Sequence, residues 1–209
     1  METAAPFEAH TERYDQWFED HEDAYRSELA ALRRLVPETG RGLAVGVGTG
    51  RFAAPLGVEV GLDPAESPLA RARERGIEVT RGVAEHLPFR DDAFDTVLVV
   101  TTVCFVDDIP RMLAEADRVL AASGRLVVGY VDRESPLGRV YQEHKDENPF
   151  YREATFVTTD ELREELAAAG FTDTAFVQTI FGPLEEVDGP EPVEEGYGDG
   201  SFVAVRAGR

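Results

Sequence analysis

The chain has 209 residues, 43% of them hydrophobic, enough to bury one substantial core and form one domain. Its 41 acids against 21 bases give a formal net charge of -20, which argues against nucleic acid as a partner because phosphate-binding surfaces are basic. No stretch approaches the roughly 18 apolar residues of a membrane span, and a lone cysteine, Cys104, excludes an internal disulfide and cannot by itself make a structural zinc site.

The first residues lack a basic stretch followed by an apolar one, so a cytoplasmic location is expected, with no metal bound. Among the bases only Lys145 is a lysine. Excess carboxylate with arginine in place of lysine fits a GC-rich genome or adaptation to high salt, and we read it as the latter. The plainer reading makes the acids solvated helix faces, as Glu12, Glu19, Asp20, Glu22 and Asp23 could be. Residues 1–36 also hold Phe7, Tyr14, Trp17, Phe18 and Tyr25, and positions 14, 17, 18 and 25 share one face at helical spacing.

Residues 42–50 read Gly-Leu-Ala-Val-Gly-Val-Gly-Thr-Gly, an apolar run entering a turn with glycines at 46, 48 and 50. A second apolar run, Val58 to Leu62, ends in Asp63. Missing side chains let a ligand lie against the backbone, and an acid at the next strand end accepts from ribose hydroxyls, so the pair points to a nucleoside. A dinucleotide fingerprint would put its third glycine at 51, where this chain has Arg51. A nicotinamide dehydrogenase is therefore disfavoured.

Further short apolar runs follow at Ile77 to Thr80, Thr96 to Val100 and Arg125 to Val131, separated by helical stretches at Glu66 to Glu74 and Asp107 to Leu120. This alternation predicts a doubly wound, mostly parallel α/β sheet of Rossmann-like type. Asp107 and Asp108 are placed to start their helix. Thr158 to Ala168 reads as another helix, with an acidic first turn and a stop at Gly170. The stretch 182–200 is rich in proline, glycine and acids and reads as a loop. No internal repeat is present.

The Gly-x-Gly-x-Gly turn and Asp63, then Val-Ala-Glu-His-Leu-Pro-Phe at 83–89, Phe-Asp-Thr-Val-Leu-Val-Val at 94–100 and the helix and strand of residues 115–128 resemble, in order, the motifs of class I S-adenosylmethionine-dependent methyltransferases. The likeness is close over residues 40–131 and is greatest to the small single-domain type that includes ubiquinone and menaquinone biosynthesis enzymes. It implies one domain over residues 1–209: an N-terminal helical lid at 1–36, a cofactor-binding core at 37–131, a substrate-side insertion at 132–157, and a closing helix with antiparallel strands at Phe171 to Phe181 and Ser201 to Arg206.

The resemblance implies S-adenosyl-L-methionine as cofactor and a small molecule as acceptor. Gly46, Val47, Gly48, Thr49 and Gly50 would cradle the methionine and ribose side, Asp63 would take the ribose hydroxyls, and Ala84 and Glu85 would meet the adenine. Val100 and Thr101 would flank the methionine, with Tyr14 closing from the lid. Trp17, Phe18, Cys104, Tyr141 and Tyr151 are candidates for the acceptor pocket, and His144 is the candidate base because a histidine can take a proton near neutral pH. Two departures stand out: the family's usual acids before the first glycine and before the Ala-Glu pair are Ala44 and Val83 here. They motivate a second reading, a nucleoside-binding regulatory protein on the same fold without turnover. The acceptor, the atom methylated and the oligomeric state are not readable from the sequence.

Overall fold

A computed structural model describes residues 2–209; Met1, the first residue of the expected lid, lies outside them. The apolar runs pair into one eight-stranded sheet in the order β3-β2-β1-β4-β5-β8-β6-β7. Strands β1 (Gly42–Val45), β2 (Val60–Asp63), β3 (Glu78–Arg81), β4 (Phe94–Val100) and β5 (Leu120–Val131) are parallel. β6 (Asp173–Thr179), the two-residue β7 (Glu194–Glu195) and β8 (Phe202–Gly208) are antiparallel, with β8 inserted between β5 and β6. This is the expected Rossmann-like α/β sheet with an antiparallel closing edge.

Alternation along the central strands supplies two apolar layers. Leu43 and Val45 of β1 and Val97 and Val99 of β4 face one layer; Ala44, Leu98 and Val100 face the other. Helices α1 (Ala5–Ala9), α2 (Thr11–Asp20) and α3 (Glu22–Leu35) precede the sheet; α4 (Glu66–Glu74), α5 (Ile109–Val119), α6 (Pro136–Glu143) and α7 (Thr159–Ala168) follow within it. Leu32 of α3 joins the second layer, and Leu113 of α5 and Leu166 of α7 the first. Side-chain caps fix where helices start: Asp108 accepts from Arg111 N at 2.9 Å, Ser135 from Gly138 N at 3.0 Å, and Thr158 and Glu161 form a reciprocal capping box.

Three details differ from the sequence reading. The N-terminal aromatics do not ride on one helix: the backbone leaves helical geometry at His10 (φ -129°) and His21 (φ -124°), dividing the segment into three helices. β5 begins at Leu120 rather than Arg125, because α5 runs straight into it and the pairing then jumps from Phe94↔Leu120 to Thr96↔Arg125. The stretch 182–200 is not structureless. It contains a 3-10 turn, Leu184–Glu186, and β7, and α3 holds it: Gly189 N donates to Asp23 at 3.0 Å and Glu191 N to Ser27 at 2.9 Å. Such order comes from tertiary hydrogen bonds and leaves no periodicity to read. Among the described residues no helix is long and apolar enough to cross a membrane, and no cluster of His, Cys, Asp and Glu could hold a metal ion.

Candidate functional site

The order of the parallel strands reverses between β1 and β4, and in open sheets of this kind ligands sit at the carboxyl ends beside that reversal. Here β1 ends in the glycine turn. Gly46 N and Val47 N both donate to Leu62 O, at 2.8 and 2.9 Å, bending the chain back onto β2. Gly46 has φ +68°, and a Cβ there would collide with the Thr102 side chain; Gly50 has φ +82°, and a Cβ would lie 2.6 Å from Ile77 Cδ1. Only glycine satisfies both the backbone angle and the space.

Asp63, at the end of β2, is tied to this turn. Its Oδ2 accepts from Gly48 N and its Oδ1 from Ala65 N, each at 2.9 Å. Burial raises the carboxyl above its usual range, and the two amides work against that shift. Asp63, Gly46, Gly48, Ala84, Glu85 and Thr101 line one cleft, together with the exposed Val83. Thr101 stands at the end of β4 with φ +49°, a left-handed conformation that is an outlier for a β-branched residue and marks strain at the cleft floor. Glu85 Oε1 is engaged by Asp107 N at 2.9 Å.

Not every residue of the turn faces the cleft. Val47 covers Gly61, and Thr49 donates its hydroxyl to Asp15 at 2.7 Å. Asp15, on α2, also takes Arg51 Nε at 2.9 Å and Arg75 at 2.9 Å. Burial opposes its charge, yet hydrogen bonds from Arg51, Thr49 and Arg75 hold the carboxyl well below the usual range. One carboxylate thus latches the N-terminal helices to the glycine turn. Ala44 is buried beneath that turn, beside Tyr14, Arg51 and Phe52.

A second cavity, of about 990 Å³ counting its open mouth, adjoins the first. The two share a wall of Phe7, Tyr14, Thr101 and Phe105. Trp17, Phe18, Cys104, Tyr141 and Tyr151 all line this second space. The rings interlock edge to face: Phe7 with Tyr14 at 5.3 Å, Tyr14 with Phe18 at 5.3 Å, and Tyr141 tilted on Tyr151 at 4.6 Å. Burial pushes the Cys104 thiol up to about 12, so it stays protonated and acts as a wall.

His144 is not brought to either cavity. It caps α6, its side chain is 62% exposed, and its ring lies 3.5 Å from Glu147. His10 and His21 occupy the breaks between the N-terminal helices, and His86 bridges back to Val83. The structure adds residues the sequence reading left out of the site. Phe150, Phe156 and Phe7 complete the aromatic wall, and Glu28, 3% exposed, is among the described residues the one buried charged residue lining it. Glu28 was discoverable: Ala24, Ala31, Leu32 and Leu35 on the same helix face are apolar, and an acid interrupting such a stripe is a signal.

A glycine turn with an acid on the next strand thus opens onto a second, largely aromatic chamber. Comparison with known proteins assigns the chain to a family. A methyltransferase-domain family matches residues 43–128. A crystal structure from Thermotoga maritima, of an S-adenosylmethionine-dependent methyltransferase described as a possible histamine N-methyltransferase, is 48% identical, with 99% of each chain covered and a TM-score of 0.95. An uncharacterised protein of Methanocaldococcus jannaschii is 43% identical over 96% of this chain and 97% of its own length. The ubiquinone biosynthesis O-methyltransferase of Azorhizobium caulinodans is 31% identical, covering 73% of this chain and 67% of that protein. The chain belongs to the class I S-adenosylmethionine-dependent methyltransferases.

Proposed function

We propose that this protein transfers a methyl group from S-adenosylmethionine to a small molecule held in the aromatic cavity. The observation that carries the reading is the shared wall: a cleft built from the glycine turn and Asp63 meets an apolar chamber across four residues. The cleft's own features fit the cofactor, because Asp63 is a buried acid opening into it and the glycine backbone at 46 and 48 is left bare of side chains. Bound there, S-adenosylmethionine would supply an electrophilic methyl group on a sulfonium.

Asp63 would accept from the ribose hydroxyls, Ala84 and Glu85 would border the adenine, and the backbone of the turn from Gly46 to Gly50, with Val100 and Thr101, would hold the remainder. Tyr14, Phe7 and Phe105 position the acceptor and exclude water, which is how a displacement that depends on alignment gains rate. No residue is assigned as base, since an acceptor with a free lone pair needs none. The reading takes the reaction to be cytoplasmic, with a small-molecule partner rather than nucleic acid. The aromatic chamber favours turnover over the binding-only alternative, because a sensor of the cofactor has no use for an acceptor space.

Calorimetric titration tests the cofactor: S-adenosylmethionine and S-adenosylhomocysteine should bind and NAD should not. Incubation of metabolite extracts with methyl-labelled cofactor then tests turnover, with label expected in a small-molecule fraction. Binding without any transfer would favour the non-catalytic reading, and binding of NAD alone would overturn both.

A further inference from the structure

Helix α3 carries Glu28 on a face otherwise occupied by Ala24, Ala31, Leu32 and Leu35. Its Oε2 is buried with no hydrogen-bond partner, and no Lys, Arg or His pairs with it among the described residues. A carboxyl in that position is costly unless something pairs with it, and an apolar residue would serve the helix better. The side chain opens into the aromatic cavity. Burial alone raises its pKa, to about 8.

The surrounding walls have the complementary property. The rings of Tyr14, Trp17, Phe18, Tyr141, Phe150 and Phe156 line the space, and ring faces attract cations through their quadrupoles. The other charged lining residue, Arg13, is exposed at the solvent side, its guanidinium 5.8 Å from the Phe150 ring centre. One buried acid among aromatic rings selects an apolar body carrying a positive head and rejects a carboxylate. Glu28 lines the aromatic cavity but not the cofactor cleft, so a head bound to it is set back from the shared wall.

We propose that the methyl acceptor is an organic amine, bound as a cation, with its ammonium on the Glu28 carboxylate and its body against the aromatic wall. An ammonium has no lone pair to donate, so the atom methylated is a different one of the same molecule, at the Tyr14 and Thr101 end. This rests on the reading that the aromatic cavity holds the acceptor.

The test uses the whole protein saturated with S-adenosylhomocysteine and three probes of one shape: 2-phenylethylamine, 2-phenylethanol and 3-phenylpropionate. The amine should bind at least about tenfold tighter than the alcohol, and the propionate weakest. In Glu28→Gln the preference for amine over alcohol should fall to within about twofold, with S-adenosylhomocysteine binding unchanged as proof of a folded protein. Equal affinity for the three probes, no binding of the amine, or an undiminished preference in the variant would overturn the assignment. Failure of S-adenosylhomocysteine itself to bind would instead refute the cofactor reading on which it stands.

Discussion

At the scale of single residues, two acids are buried at the two cavities, and their surroundings set them apart. Asp63 has two backbone amides and keeps a defined orientation toward the cleft. Replacing it with alanine should weaken S-adenosylhomocysteine binding by about 1.5 to 3 kcal/mol, the scale for hydrogen bonds to a charged acceptor. Calorimetry reads this directly, and an unchanged dissociation constant in a folded variant would remove Asp63 from the site. Glu28 has no such partners, and its proton is held more tightly in the folded chain than in the unfolded one. A carboxyl whose pKa rises on folding supports the fold fully below its unfolded value of 4.5 and loses that support as pH climbs toward about 8. Each unit of the shift is worth about 1.4 kcal/mol. Tyr14, Tyr25, Tyr141 and Tyr151 face the same carboxyl, but burial keeps all four above the usual tyrosine range, so they stay neutral over that window. Ligand-free Glu28→Gln should therefore match the wild type near pH 4, below the unfolded value, and melt progressively higher than it up to pH 8. Parallel melting curves across that range would show that Glu28 is not an isolated acid. Asp63 was legible in the sequence because its partners are local, a turn and a strand end. The isolation of Glu28 was not, because it depends on which rings three separate segments bring around it.

At the scale of elements, the glycine turn and the N-terminal helices form one unit. Arg51, whose presence at the third-glycine position of the dinucleotide fingerprint argued against that class, holds α2 in place by pairing with Asp15 and Glu19. Asp15 gathers Thr49, Arg51 and Arg75 onto a single carboxylate. Asp15→Ala should cost roughly 1 to 3 kcal/mol of stability, as expected for breaking a partly buried network. It should also make the chain easier to cleave near His10 and His21 and weaken cofactor binding, since the cover over the cleft loosens. Limited proteolysis with and without S-adenosylhomocysteine separates these effects: equal cleavage of variant and wild type would mean that Asp15 does not latch the cover. The helical content of residues 1–36 followed from aromatic spacing, but the two breaks did not, because neither His10 nor His21 is a glycine or proline that would announce a bend. The insertion at 132–157 was placed on the acceptor side by its position after β5, and α6 and the aromatic residues beyond it reach the second cavity. Joint replacement of Tyr141 and Tyr151 by alanine should lower turnover of an identified acceptor while leaving S-adenosylhomocysteine affinity unchanged. Unaltered turnover would exclude the segment from acceptor binding.

At the scale of the whole molecule, the charge imbalance works against the compact fold. The bases best placed to offset it are already committed: Arg51 and Arg75 to Asp15, and Arg118 to Glu115, whose carboxyl that arginine pulls down to about 2. The chain as a whole carries a net charge of -20, so carboxylates repel one another across the surface. Added salt has two opposed effects. It weakens exposed ion pairs, each worth only about 0 to 1 kcal/mol, and it shortens the Debye length from about 10 Å at 0.1 M to about 3 Å at 1 M, which relieves repulsion over the whole surface. The partly buried pairs around Asp15 are the least screened, so relief should win. The melting temperature should rise between dilute buffer and 1 M potassium chloride, and rise more than that of a near-neutral methyltransferase of the same fold. Chloride is the suitable anion, because sulfate would raise stability through stronger apolar burial whatever the charge. A flat or falling melting temperature would mean that the acids are solvated and locally balanced, and would remove adaptation to high salt as the explanation for a chain with a single lysine.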